Sequence, residues 1–277
     1  MTRDPGSLPD RRAAYARAVS RRFGGTDPRV EAAFGKIPRE AFLGPPPWTI
    51  VDGGLRARIE TGDPALLYQD ALVVLDAARG INNGQPSLHA ICIEALRLTP
   101  RDHVLHVGAG TGYYTAILAE LAATIDAYEI EPDLAAHAAA NLAAWPSVAV
   151  HAQSAFGRPL PAADAIYVNA GAARPDRFWL DALRDGGRLL FPLTTARRRG
   201  GMLLVERRGA GFAARFLMDC GFIPCVGGHD PASDARLEAA FLGGGHERVR
   251  SLWRTPPPGA SFWFAGEGWY LSAEPPP

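Results

Sequence analysis

Lysine is almost missing from this sequence: Lys36 is the only one, and every other basic side chain is arginine. With Ala, Gly and Pro abundant, this reads as a coding bias and carries no functional weight. Net charge is missing too. Acidic and basic side chains balance at 29 each over 277 residues, which excludes an overall electrostatic drive toward nucleic acid or an anionic membrane surface. Any partner is recognised locally. The three cysteines, Cys92, Cys220 and Cys225, are odd in number and have no metal-ligand spacing, so a reducing cytoplasm is the expected location. His103, His106, His137, His151, His229 and His246 show no H-x-x-x-H spacing, and no metal is expected. No stretch approaches the roughly 20 apolar residues of a membrane span. Residues 1–22 carry Arg, Asp and Ser throughout and lack a signal-peptide core, so a soluble, unexported protein with no membrane and no nucleic-acid partner is expected.

What is present is enough apolar content, 47%, for a sizeable core. Ala13, Ala14, Ala16, Ala18 and Val19 suggest a helix ending near Gly24 and Gly25. Val30, Ala33, Phe34 and Ile37 then share a helical face until Pro38 stops the pattern. Residues 44–83 read as mostly irregular with a short strand at 71–75, and Pro86 opens a helix through Leu98. From Asp102 short apolar runs alternate with amphipathic stretches, as in α/β proteins. Strands are expected at 103–107, 124–130, 148–151, 163–169 and 187–192, with helices at 113–122, 133–144 and 175–183. The runs at 202–207 and 212–217 have no helix between them and suggest an antiparallel pair at the sheet edge. Near the C-terminus, Pro256 to Pro258 and Pro275 to Pro277 bracket Phe262, Trp263, Phe264, Trp269 and Tyr270, a small hairpin turning at 266–268. Three segments result: a helical and irregular cap at 1–85, a catalytic domain at 86–228, and an appendage at 229–277 packed on the core.

The segment that carries chemistry is Gly108, Ala109, Gly110, Thr111 and Gly112, a glycine-rich turn between a buried strand and a helix. Glycines let the backbone approach a ligand where a Cβ would collide. A dinucleotide fingerprint would need glycine at 113, but Tyr113 stands there, so a pyrophosphate site is disfavoured. Glu129 ends the next strand, beside Ile130, where a carboxylate can accept both ribose hydroxyl hydrogens of a nucleoside. A methionine-sulfonium nucleoside, S-adenosylmethionine, satisfies both facts. The same residues also fit a plainer reading, in which the glycines only allow tight strand-to-helix packing and Glu129 is a solvated strand end.

From Val30 to Gly228 the sequence resembles the protein-L-isoaspartate O-methyltransferase family. The resemblance rests on an ordered series. Val30-Glu31-Ala32-Ala33-Phe34 leads into Ile37-Pro38-Arg39-Glu40-Ala41-Phe42, followed by Gln85-Pro86 and the strand and turn from Val104 to Ala119. Asp164-Ala165-Ile166-Tyr167-Val168-Asn169-Ala170 comes next, then the run from Leu183 to Pro192 and Gly221-Phe222-Ile223-Pro224-Cys225-Val226. It implies a Rossmann-like, class I methyltransferase fold with a seven-stranded sheet and an N-terminal addition, S-adenosylmethionine as cofactor, and methyl transfer to a peptide or protein carboxylate.

Two departures bear on the substrate. The family's Thr-Ile-Ser turn before the Gln-Pro pair reads Asn82-Asn83-Gly84 here, so the hydroxyl associated with the isoaspartyl carboxylate is missing and an asparagine amide is left as a donor. Where the family carries an acidic residue facing the adenine amine, this sequence offers Gln153 and Ser154, either of which accepts a hydrogen bond. By the resemblance Asn82, Asn83, Gly84 and Gln85 orient the acceptor, although an ordinary Asn-Gly turn ahead of a helix explains them as well. A carboxylate acceptor is already ionised near neutral pH and needs no general base. His89 matches a position where some family members have histidine, but on an apolar helix it reads as a core residue. Arg197, Arg198 and Arg199 read as a solvated loop, or as a steering patch for an acidic peptide. The expected activity is therefore O-methylation of a peptide or protein carboxylate, diverged from isoaspartyl repair. The alternatives are methylation of a small molecule or specialised biosynthetic peptide, and a non-catalytic cofactor-binding protein.

Overall fold

The computed structural model describes residues 6–51, 58–256 and 262–276. Pro257, Pro258 and Pro277, part of the proline bracket around the aromatic hairpin, lie outside the described residues. Two compact units form: residues 1–101, 109–127 and 131–152 in the first, and 102–108, 128–130 and 153–277 in the second.

In the first unit α1 (Leu8–Arg21) starts at Ser7, whose hydroxyl accepts the Asp10 N–H, and it buries Tyr15, Ala16 and Val19. Asp27 caps α2 (Pro28–Lys36) by accepting the Arg29 N–H, and Pro28 takes a first-turn position where no donor is required. The expected face, Val30, Ala33 and Phe34, is the buried one. Ile37 is extended because Pro38 follows it, and a 3-10 turn at Arg39–Phe42 replaces further α-helix.

Residues 44–83 depart from expectation. In place of an irregular segment with one strand, they contain β1 (Trp48–Val51), β2 (Arg58–Thr61), β3 (Leu72–Asp76) and β4 (Ile81–Asn82), a four-stranded antiparallel sheet in the order β2-β1-β3-β4. Trp48, Ile50, Leu67, Ala71 and Val73 make its small core. Strands this short carry too few residues for alternation to show.

Beyond α3 (Pro86–Ala95) the chain runs β5 (His103–Val107), α4 (Tyr113–Ala119), β6 (Thr124–Glu129), α5 (Pro132–Asn141), β7 (Val148–Ala152), β8 (Ala163–Val168), α6 (Arg177–Ala182), β9 (Leu183–Thr194), β10 (Gly200–Arg208) and β11 (Gly211–Asp219). Then follow α7 (Pro231–Gly243), β12 (Ser251–Trp253), β13 (Phe264–Ala265) and β14 (Tyr270–Ser272). The sheet order is β13-β14-β12-β11-β10-β9-β8-β5-β6-β7. Seven of these, β11 to β7 in that order, are the expected methyltransferase strands, and the last three extend the edge. β5 pairs parallel with β8, and β8 with β9, while β10 runs antiparallel to both β9 and β11.

The hairpin at Phe264 to Tyr270 forms as expected, but α7 was not anticipated from sequence. Asp230 caps it at the Ser233 N–H, and Pro231 occupies its first turn. In the second unit Leu105, Ile166, Trp179, Leu189 and Phe191 are fully buried, each apolar side chain worth about 1.5–3 kcal/mol. The Trp179 indole N–H also donates to Ala155 O at 2.8 Å, so its polar edge is not left unpaired.

Candidate active site

At the end of β5 the buried chain must leave the sheet and enter α4 within five residues. It does so with φ values of +77°, +57° and +95° at Gly108, Gly110 and Gly112, a region L side chains disfavour. The Gly108 N–H donates to Tyr128 O on β6 at 2.9 Å, which sets the first glycine beside the end of that strand. Glu129 follows Tyr128 and is only 6% exposed, so it is not a solvated strand end. Ile130 is 41% exposed. In the first unit the Gly112 N–H donates to Ala109 O, and the Asn141 amide donates to Thr111 O, each at 2.9 Å. A Cβ on Gly112 would stand 2.8 Å from Leu142 Cδ1, so this third glycine answers to helix packing as well as to conformation. After β7, Gln153 Oε1 accepts from Arg158 at 2.6 Å and Ser154 Oγ accepts from the Phe156 N–H at 3.1 Å. Both side chains are held locally.

The loop of Asn82 to Gln85 belongs to the first unit, and its side chains mostly build the loop itself. Asn82 Oδ1 accepts the Gly84 N–H at 2.9 Å, closing an Asx turn. Asn83 is buried; its Oδ1 accepts from the Val73 N–H and from Arg39, while its Nδ2 has no acceptor among the described residues. The Gln85 amide donates to Asp70, which also receives the Ser87 N–H and hydroxyl. Arg39 and Asp70, which organise this loop, were not identified from sequence as site residues, because their partners lie 15 to 44 positions away.

Gly84 has φ +73°, and a Cβ there would collide with the His89 imidazole. That ring is buried and stacks on Tyr114, with centroids 3.7 Å apart and planes 15° apart. His89 is therefore the core residue expected, and it also explains the glycine: the space where a side chain at 84 would begin is filled from α3. Gly84→Ser is expected to destabilise the protein by about 2–4 kcal/mol, through left-handed strain plus the displaced ring. His89→Ala in the same chain should recover at least about 1 kcal/mol of that loss in a urea-denaturation cycle. Additive effects would mean that the two positions do not compete.

In the second unit β8 delivers Asn169 to the same strand ends. Its N–H donates to Val107 O at 2.8 Å, its amide Nδ2 lies 2.7 Å from His106 Nε2, and its Oδ1 is buried with no donor among the described residues. Burial pushes His106 down to about 3, so the ring is neutral. The sequence signal for this pair was only the position of Asn169 at a strand end. Arg197 pairs with Glu238 across 3.7 Å in the loop joining β9 to β10 and is largely exposed.

The family sequence model for protein-L-isoaspartate(D-aspartate) O-methyltransferase matches residues 62–230. The chain belongs to this family. A protein-L-isoaspartate O-methyltransferase from Rhodopseudomonas palustris is 37% identical over 207 residues, covering 73% of this chain and 86% of that protein. The Marinobacter nauticus protein-L-isoaspartate O-methyltransferase 2 is 32% identical and covers 82% of this chain and 98% of its own. Among solved structures, a protein-L-isoaspartate O-methyltransferase superposes with a TM-score of 0.64 at 21% identity, over 83% of this chain and 69% of that one. A Plasmodium falciparum structure described as a family member, in complex with S-adenosyl-L-homocysteine, gives 0.62 at 18% identity, covering 77% and 97%.

The fold is that of the class I methyltransferases, and this family member is an S-adenosylmethionine-dependent methyltransferase. Its residues fit that donor: a buried carboxylate stands beside the first glycine at the end of β6, and an amide oxygen at the end of β8 has no donor partner among the described residues. No helix among the described residues is long and apolar enough to cross a membrane.

Proposed function

We propose that this family member methylates the carboxylate of an isoaspartyl or related residue in a peptide or protein, through an acceptor loop that uses an amide where a hydroxyl was expected. The observation that carries this is Asn83 Nδ2, a buried donor with no acceptor among the described residues, in a loop where Asn82 Oδ1, Asn83 Oδ1 and the Gln85 amide are all engaged. A carboxylate oxygen is the acceptor such a donor lacks.

When bound, S-adenosylmethionine supplies a methyl group on a sulfonium. The chain's part is to hold and align, with water excluded. In this reading Glu129 holds the ribose hydroxyls and the exposed Ile130 offers an apolar face to the adenine. Gln153 and Ser154 meet the adenine amine, while Gly108, Ala109, Gly110, Thr111 and Gly112 let the backbone close on the nucleoside. Asn82 and Gly84 shape the acceptor turn, and Gln85 ties it to Asp70. No side chain has to take a proton from an acceptor already ionised near neutral pH.

The division into segments 1–85, 86–228 and 229–277 is retained as part of this proposal, with the first carrying the acceptor loop. A reducing compartment such as the cytoplasm suits three cysteines that form no disulfide among the described residues, and burial pushes the Cys225 thiol up to about 12.

The test is transfer from labelled S-adenosylmethionine to an isoaspartyl peptide, to its aspartyl twin, and to a mixed pool of peptides and metabolites. Base-labile label on the isoaspartyl peptide alone is the expected result. Label only in the metabolite fraction would replace this reading with small-molecule methylation. Binding of the donor without transfer to anything would leave a cofactor-binding protein.

A further inference from the structure

We infer that Asn169 is a cofactor-contacting residue, its amide oxygen accepting the α-ammonium of the methyl donor's amino-acid end, and that His106 is the positioning residue that turns the amide to do so. Asn169, His106 and Gly108 all belong to the second unit. Asn169 follows β8, where its backbone N–H is fixed by Val107 O, one residue before Gly108. Its backbone and Cβ stand 3.4–3.5 Å from where a Cβ on Gly108 would be, so it flanks the first glycine of the turn. His106 is fully buried on β5 and is register partner to Tyr167, on which it stacks at 5.6 Å and 11°. A neutral imidazole presents one N–H and one bare nitrogen. The Asn169 Nδ2 lies 2.7 Å from Nε2, an arrangement that fits a bare Nε2 and places the amide oxygen on the opposite side. There it is buried and without a donor among the described residues.

A buried amide oxygen in that state is costly, and ligand donors are one of the ways such a group is satisfied. The methyl donor carries three sets of hydrogen-bond donors. The ribose hydroxyls belong to Glu129 and the adenine amine to Gln153 and Ser154, which leaves the α-ammonium for Asn169.

The inference rests on the placement of the donor at the glycine turn, and the test separates the two. S-adenosylhomocysteine and 5′-methylthioadenosine share the nucleoside, but the second lacks the amino-acid end. By calorimetry on the full chain, Asn169→Ala is expected to weaken S-adenosylhomocysteine about 10- to 100-fold, the effect of one hydrogen bond to a charged group, and to leave methylthioadenosine within about twofold. Asn169→Asp, which keeps an acceptor, should keep the discrimination between the two ligands. His106→Phe, which keeps a stacking ring but no acceptor nitrogen, should lose part of that discrimination without losing methylthioadenosine. If Asn169→Ala does not fold, Asn169→Leu removes the same oxygen at closer to the original volume. Equal weakening of both ligands would reduce Asn169 to a structural role, and unchanged affinity for both, or a change only in acceptor KM, would overturn the assignment. Failure of the donor placement itself reads out differently: Glu129→Ala would then leave both ligands untouched.

Discussion

Replacing Glu129 with alanine is expected to raise the dissociation constant for S-adenosylhomocysteine at least about 100-fold while the protein stays folded. The carboxylate is buried at the last position of β6, and the Gly108–Tyr128 hydrogen bond sets Gly108 beside the end of that strand. Two ribose hydroxyls donating to one ionised carboxylate make two charge-assisted hydrogen bonds, each worth about 1.5–3 kcal/mol, and 1.4 kcal/mol is tenfold in affinity. Glu129→Gln keeps the shape and one acceptor oxygen, so it should fall between the two. Calorimetric titration paired with a thermal melt checks this. An alanine variant that binds with native affinity would remove Glu129 from the cofactor site.

The second large effect concerns stability. Arg39 is fully buried, and among the described residues no carboxylate accepts from its guanidinium. Its two terminal nitrogens donate to Leu67 O (2.7 Å), Gln69 O (3.1 Å), Ala71 O (2.6 Å) and Asn83 Oδ1 (3.2 Å). Arg39→Met fills much of the same volume but takes the guanidinium donor from Leu67 O and Ala71 O, at about 1–3 kcal/mol each, while Gln69 O keeps the Ala71 N–H at 2.9 Å. A loss of about 2–6 kcal/mol is expected, equivalent to a fall in Tm of roughly 4–24 °C for a chain of this size. Because Asn83 loses a restraint as well, acceptor KM should rise in whatever fraction remains folded. A variant within about 1 kcal/mol of the parent in urea denaturation would show that water or a rearranged loop takes over the guanidinium's role.

The α/β half of the fold was legible because its strands are buried on both faces and read as apolar runs, as in β5, where residues 104 to 107 are all buried. Where strands are two to five residues long and partly exposed, as in the four-stranded sheet of the first unit, no periodicity reaches significance. α7 had its signals, Asp230 and Pro231 at one end and three glycines at the other, but they were submerged in a segment read for its composition. In the candidate site, the glycine turn and Glu129 are legible as a register between neighbouring elements. The loop was visible only as a string of residue types. That Asn82 and Gln85 are engaged in holding the turn, and that Gly84 is required by His89, depends on side-chain directions that spacing does not encode. The same holds for Asn169, whose importance lies in which of its two amide atoms is already taken.

The three strands added beyond β11 have a bearing on solubility. β11 is nine residues long, and a chain cut after Gly228 would present it as an open border, a template for strand addition by another molecule. β12 continues the ladder for two residue pairs, and Phe241 and Trp263 pack against Phe216 further along. What remains at the border is β13, only two residues long, too short to recruit a neighbour. A chain cut after Gly228 is therefore expected to aggregate more readily than the full chain, which light scattering at matched concentration would check.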